Sequence, residues 1–266
     1  MSDYGRDLAY IHDAGFLDFA RDATPSVIAT LRAAGIEDGL VVELGSGSGE
    51  TAAELTDAGY DVLGIDQSRA MVELARSRAP RARFRVGSWH EARIPPCAAV
   101  IALGEVLGYV GAARGTKAEW RALLERVHAA LPPGGFFVFD LAVPGGVPGG
   151  ELQSFRTGED WAIMMRARER GGEVERSIET FRRIAGGATY RRSVERHRLR
   201  LRPAPETAAM LRDAGFSVRV RRAYGGRARA SRGTGCSWPG SAERRRGVTR
   251  CGIARPFSTK LGARAG

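Results

Sequence analysis

Apolar residues recur along this chain in two alternating rhythms. Compact runs rich in β-branched and aliphatic side chains fall at VVEL (41–44), DVLGI (61–65), VIAL (100–103) and FFVF (136–139). Between them the apolar positions lie three and four apart: Thr51, Ala52 and Leu55; then Met71, Leu74 and Ala75; then Trp120, Leu123, Leu124, Val127 and Leu131. Period-two or continuous runs predict strands, and the 3.6-residue rhythm predicts amphipathic helices. Their alternation predicts an α/β fold built on a doubly wound, mostly parallel sheet.

Both flanks break that rhythm. Ahead of the first strand, Thr24 is placed to cap a helix with Pro25 in its first turn and Gly35 at its end. Val27, Ile28, Leu31 and Ile36 are then its core side. After the fifth strand, PGGVPGGE (144–151) is a break. DWAIMMRARE, EVERSIETFRRI and YRRSVERHRLRLR then alternate in strand fashion, with Val194, Leu199 and Leu201 set among arginines. They predict an antiparallel β insertion of three strands after the fifth strand. PETAAMLRDAGF (205–216) predicts a helix, and SVRVRRAY (217–224) a strand. The expected organisation is an N-terminal helical segment (1–39), a core (40–143), the insertion (144–203), a return to the core (204–225) and a basic tail (226–266).

The chemistry concentrates after the first strand, in VVELGSGSGE (41–50), where glycine occupies every second position from Gly45 to Gly49. Glycine permits a tight turn and close approach of a ligand to bare backbone. A dinucleotide fingerprint wants a third glycine at position 50, where this chain has Glu50, whose charge would repel a pyrophosphate at a helix N-terminus. The loop therefore favours a ligand without phosphate. Asp66 closes the second strand, a position from which a carboxylate accepts hydrogen bonds from a ribose diol.

Glu43 followed by Gly45, Gly47 and Gly49, with Asp66 ending the next strand, resembles the class I S-adenosylmethionine-dependent methyltransferases. The resemblance runs through about residues 24–225 and implies their Rossmann-like, seven-stranded type of sheet. It implies S-adenosyl-L-methionine as cofactor, with Gly45, Ser46 and Gly47 along its methionine part, Glu43 near its ammonium group, and Asp66 with Gln67 at its ribose. FRVGSWHEARIP (84–95) resembles the loop that contacts adenine, which points to Ser88 for the amino group and Trp89 over the ring; Trp89 is equally a candidate core aromatic. Leu103 sits at the carboxyl end of the fourth strand, where open sheets place their ligands. The resemblance further implies that the insertion roofs the acceptor pocket. It implies too a last strand, antiparallel, between the fifth and sixth, for which GVTRCGIARPF (247–257) is the one candidate.

Composition narrows the partners. The net charge of +11 suggests nucleic acid until it is mapped, because residues 225–266 carry nine of those charges and the body is nearly neutral. No aromatic-interleaved basic stripe of the base-stacking kind is present, which argues against RNA or DNA. The tail reads as a disordered segment or as the product of a shifted reading frame. No apolar run has membrane length, and three cysteines without redox or metal spacing fit a cytoplasmic location. Four scattered histidines form no metal set, so no metal is expected.

Methyl transfer from a sulfonium asks mainly for alignment and exclusion of water, so no catalytic motif need be visible. Residues placed to help an acceptor lose its proton are Tyr10 and His12 in the N-terminal segment and Glu105 and Tyr109 beyond the fourth strand; His197 lies on the insertion, the expected roof, where it would face substrate. The function expected is methyl transfer to nitrogen or oxygen of a small-molecule acceptor. The alternatives are a cofactor-binding protein without catalysis and an RNA methyltransferase. Sequence leaves the oligomeric state open.

Overall fold

The computed structural model describes residues 4–110, 115–184, 187–221, 224 and 250–256. Helices α1 (Arg6–Gly15) and α2 (Asp18–Arg32) come first. The alternation follows: β1 (Leu40–Leu44), α3 (Glu50–Asp57), β2 (Asp61–Asp66), α4 (Arg69–Arg78), β3 (Arg83–Val86), β4 (Ala99–Ala102), α5 (Lys117–Ala130) and β5 (Phe136–Leu141). Next stand β6 (Glu151–Thr157), β7 (Trp161–Arg170), β8 (Glu173–Arg183) and β9 (Tyr190–Arg200), then α6 (Ala204–Asp213), β10 (Phe216–Arg221) and β11 (Arg250–Pro256).

The main sheet has the order β10-β11-β5-β4-β1-β2-β3. β1 to β5 run parallel, and β11 pairs antiparallel with both β5 and β10. The strand order reverses between β1 and β4, and ligands in open α/β sheets bind at the carboxyl ends there. β5 is buried at all six positions, which explains why it reads as an unbroken apolar run. On one face Trp120, Leu123, Leu124 and Val127 of α5 pack against Phe137 and Phe139. On the other, Val27, Leu31, Leu55 and Val72 cover Val41, Ile101 and Phe136. Each such aliphatic or aromatic burial stabilises by roughly 1.5–3 kcal/mol.

Two expectations need correction. α2 begins at Asp18, so Thr24 and Pro25 lie inside it rather than at its start. Thr24 is fully buried; its hydroxyl donates to the Ala20 carbonyl at 2.7 Å and its oxygen lies 3.2 Å from Thr51 Oγ1. Pro25 is exposed, so the carbonyl its missing N–H leaves unpaired is on the solvent side of the helix, where water replaces the bond. The insertion has four strands, not three. ELQSFRT (151–157) pairs with β7 over its whole length, but as an edge strand it is at most half-buried and its sequence signal is weak.

β9 also shows why parity matters. Leu199 is fully buried while Val194, an odd number of residues away, is 48% exposed on the opposite face. The inner face therefore carries Glu195, His197 and Leu199, opposite Ile178, Arg176 and Val174 of β8. It packs against α1, with Leu8 and Ile11 meeting Trp161, Ile163 and Met165. Beyond β4, Tyr109 bridges to Leu199 and the Val110 N–H donates to the Arg198 carbonyl at 3.1 Å, which stitches the insertion to the core. β11 lies within the stretch anticipated for the last strand; residues 225–249 and 257–266 of the tail lie outside the described residues.

Candidate active site

The turn after β1 is shaped by glycine. Gly45 has φ +70°, and a Cβ there would fall 2.4 Å from a methyl of Val106. Gly49, the residue before α3, has φ +83°, and a Cβ there would meet the Ala75 backbone at 2.9 Å. The first glycine lets the loop beyond β4 close over the turn, and the last lets α3 and α4 approach.

Asp66 ends β2 and faces this turn. Its Oδ2 accepts the Gly47 N–H at 2.9 Å and its Oδ1 the Ser68 N–H at 2.8 Å. Burial raises its pKa, and the two backbone bonds oppose that shift. Each oxygen keeps a lone pair for a further donor. Ser68 caps α4 by accepting from the Met71 N–H at 3.1 Å, and its hydroxyl donates to the Tyr4 carbonyl at 2.6 Å.

Gly45, Ile65, Asp66, Gln67, Gly87, Ser88 and Trp89 line a crevice with Val106, Tyr109 and Tyr4. It holds about 450 Å³ of non-atom space, its mouth included. Behind the turn Glu43 is 2% exposed, and burial pushes its carboxyl up to about 8 while a hydrogen bond from Thr51 pulls the other way. Glu43 Oε2, Ser46 Oγ and Trp89 Nε1 are buried without hydrogen-bond partners. Such orphaned polar atoms are uncommon unless a ligand or water completes them.

Residues 41–135 match the methyltransferase domain family. A trans-aconitate 2-methyltransferase of Delftia acidovorans is 32% identical over 132 residues, which is 47% of this chain and 47% of that protein. The chain thus matches about half the length of this curated relative. Among solved structures, an S-adenosylmethionine-dependent methyltransferase from Clostridium acetobutylicum superposes with a TM-score of 0.76 at 14% identity, over 94% of this chain and 98% of its own. The sugar N-methyltransferase KedS8 from Streptoalloteichus gives 0.73 at 18% identity, over 97% and 96%. CalS10, an amino pentose methyltransferase from Micromonospora echinaspora, gives 0.69 at 19% identity, over 96% and 98%.

Residues 41–135 are thus a methyltransferase domain, set within a Rossmann-like methyltransferase fold.

Within that fold the nine positions anticipated for the cofactor are not all at the crevice surface. Gly45, Asp66, Gln67, Ser88 and Trp89 line it, and Glu43, Ser46 and Gly47 belong to the strand end and turn just behind. Leu103 packs into the core with Ile101 and Phe136 and does not line the crevice. Trp89 is both wall and core: it is 6% exposed, and its ring stacks on His90 at 3.6 Å. Ser88 Oγ is 2.9 Å from His90 Nδ1.

The catalytic candidates separate further. Tyr10 does not line the crevice: its hydroxyl donates to Asp160, and the Arg182 guanidinium sits 3.6 Å from its ring centroid. His12 stands edge-on to Tyr4 with centroids 5.5 Å apart, and burial pushes its pKa down to about 4. Glu105, in a left-handed backbone conformation, is paired with Arg176 at 2.7 Å.

Other residues, absent from the sequence expectations, also shape this region. Tyr4 lines the crevice, and its N–H and that of Gly5 donate to Glu195 at 2.8 and 2.9 Å. No sequence signal marks Tyr4, because its place depends on β9. Asp140, fully buried at the end of β5, accepts the Gly104 and Glu105 N–H groups at 2.8 Å each; burial and the neighbouring Glu105 push its pKa up to about 7. An acid closing an otherwise apolar strand was the available cue. Glu50 pairs with Arg21 at 2.6 Å and with Arg78 at 3.1 Å. Among the described residues no helix is long and apolar enough to cross a membrane, and no group of acids, histidines or cysteines is arranged to hold a metal.

Proposed function

We propose that this chain transfers the methyl group of S-adenosyl-L-methionine to nitrogen or oxygen of a small-molecule acceptor. The observation that carries the reading is Asp66: a carboxylate fixed by two turn N–H groups at the carboxyl end of β2, opening onto a crevice floored by Gly45. That placement suits two ribose hydroxyls. The orphaned Glu43 Oε2 suits an ammonium group, Ser46 Oγ a carboxylate, and Trp89 an adenine face. The neighbouring sugar and amino pentose methyltransferases support a small acceptor.

When bound, the cofactor supplies an electrophilic methyl carbon on a sulfonium. The chain's own part is to hold the ribose through Asp66 and Gln67, to hold the amino acid moiety against the glycine turn, and to keep water out with Tyr4 and Tyr109. Alignment of the acceptor lone pair behind the methyl carbon then provides most of the rate enhancement. Calorimetry with S-adenosylhomocysteine tests the reading. The parent should bind, and both Asp66→Ala and Gly47→Arg should bind at least tenfold more weakly. A parent protein that gives no heat of binding ends the proposal. Labelled cofactor offered with amines and phenols separates an enzyme from a pure binder, because the binder shows affinity without transfer.

A further inference from the structure

The inner face of the antiparallel insertion carries a pair of side chains that the cofactor reading does not use. His197 is 1% exposed, and its Nε2 lies 3.0 Å from Glu195 Oε2. A carboxylate in contact with Nε2 fixes the neutral ring as the Nε2–H tautomer. The lone pair is then on Nδ1, which is buried and has no partner. A base whose free nitrogen is unengaged while its other nitrogen is oriented by a carboxylate is the arrangement general-base catalysis requires.

Its surroundings connect it to the crevice. The ring centroid of Tyr4 is 5.1 Å from that of His197, and the Tyr109 centroid is 5.7 Å away. Both tyrosines line the crevice, so one layer of phenol rings separates it from the imidazole. Tyr4 belongs to a short N-terminal stretch held by hydrogen bonds to Ser68 and Glu195 rather than by a regular element. The remaining charged neighbour is Arg176, directly across the ladder from His197 on β8. Glu105 pairs with Arg176, so the guanidinium opposes a positive imidazole less than it otherwise would. Glu195, Glu105 and Asp66 against one paired arginine, with aromatic faces between them, make a region that favours a cation over an anion.

We propose that His197, oriented by Glu195, takes the proton from an amine acceptor, and that the Tyr4 ring is the removable cover between them. This rests on the methyl-transfer reading above and narrows its acceptor to nitrogen. An ammonium acceptor gives one proton to His197 Nδ1 and becomes the neutral amine. The amine lone pair forms the new N–C bond, and the C–S bond breaks with its electron pair going to sulfur, which leaves a thioether and a methylated ammonium. The imidazolium, its Nε2–H on Glu195, returns its proton to solvent as product leaves. Glu195 is a positioning residue; His197 is the catalytic one.

The test uses the full chain labelled with ¹⁵N-histidine. Only four histidines are present, so His197→Gln assigns the signal. The expected result is an Nε2–H tautomer for His197 at neutral pH, with both tautomers populated in Glu195→Gln. With labelled S-adenosylmethionine and a panel of amines, alcohols and phenols, transfer should go to amines. His197→Gln should lower kcat by roughly 10²–10⁴-fold and remove the acidic limb of the pH–rate profile. His197→Gln should bind S-adenosylhomocysteine as the parent does, which guards against misfolding as the explanation. A protonated Nδ1 overturns the proposal. So does an unchanged pH profile in His197→Gln, or a panel in which no amine accepts the methyl. If the parent itself fails to bind S-adenosylhomocysteine, the functional reading falls first.

Discussion

The Arg78 guanidinium, at the end of α4, lies 3.1 Å from the Glu50 carboxylate at the start of α3. It also donates to the Ser48 carbonyl at 3.0 Å and the Ser48 hydroxyl at 2.8 Å, and it pairs with Asp13 of α1. One side chain therefore ties the glycine turn to three helices. Arg78→Ala should cost about 1–3 kcal/mol in urea unfolding, as expected for lost hydrogen bonds to a charged group. It should also weaken S-adenosylhomocysteine binding, because the turn loses its tether. Calorimetry showing parental affinity in the variant would remove Arg78 from the site's support.

Glu43 gives the protein a pH signature. Its pKa of about 8 in the fold lies above the usual 4.5, so the folded protein holds a proton that the unfolded chain has already released. The unfolded state binds fewer protons between those values, and stability falls as pH rises through them. His12, pushed down to about 4, acts with the opposite sign below its usual 6.5. The decline should accordingly be clearest from pH 6.5 to 8, with Asp140 adding to it. Glu43→Gln should flatten it in denaturation curves taken across that range.

The same carboxyl predicts proton release on binding. A cofactor ammonium arriving at Glu43 ionises it, and the proton passes to the buffer. Calorimetry at pH 7 in buffers of different ionisation heat should show up to one proton released per S-adenosylhomocysteine. Heats independent of buffer would place the ammonium elsewhere.

Two glycines of one turn should respond differently to alanine. At Gly49 a new Cβ meets the backbone of Ala75 and sits on a left-handed conformation, so Gly49→Ala should cost more than about 2 kcal/mol. At Gly47 the conformation is also left-handed, φ +51°, but the space is open, and Gly47→Ala should cost about 1–2 kcal/mol from the backbone alone. Urea unfolding of both variants checks the order. Equal losses would mean that α4 yields to the added methyl.

Removing residues 226–266 should be damaging although most of them look dispensable by composition. β11 is hydrogen-bonded on both sides, to β5 and to β10. Without it two strands expose unpaired edges, which invites aggregation and costs about 1–3 kcal/mol for each buried group left unsatisfied. Gel filtration and thermal melting of the truncated chain should show aggregates or a much lower Tm. A monomer with the parental Tm would show that β11 contributes little.

The parallel core was legible because each of its elements is buried in one simple pattern: Phe136–Leu141 on both faces, Trp120 to Leu131 on one. The glycine turn and Asp66 were legible because turn geometry and strand-end position are local. What escaped was set at long range. Pro25 reads as a helix start, yet its exposed position lets α2 run through it. β6 hides as a half-buried edge. Leu103 stands at the right strand end, but its side chain points into the core. Tyr10 and Tyr4 are six residues apart on the N-terminal segment, and only docking against the insertion decides which of them reaches the crevice.

The position of β11 has a consequence for the order of assembly. Among the described residues β10 has no neighbour in the main sheet except β11, and β11 is the last strand in chain order. A nascent polypeptide must therefore hold β10 beside α6 alone, with one flank of β5 bare, until Arg250–Pro256 has left the ribosome and inserted between them. Pairing so late between such distant segments is slow, and the half-built edge is open to other chains meanwhile. Yield in cells should then depend on synthesis temperature and chaperone supply more than the well-filled centre of the molecule would suggest.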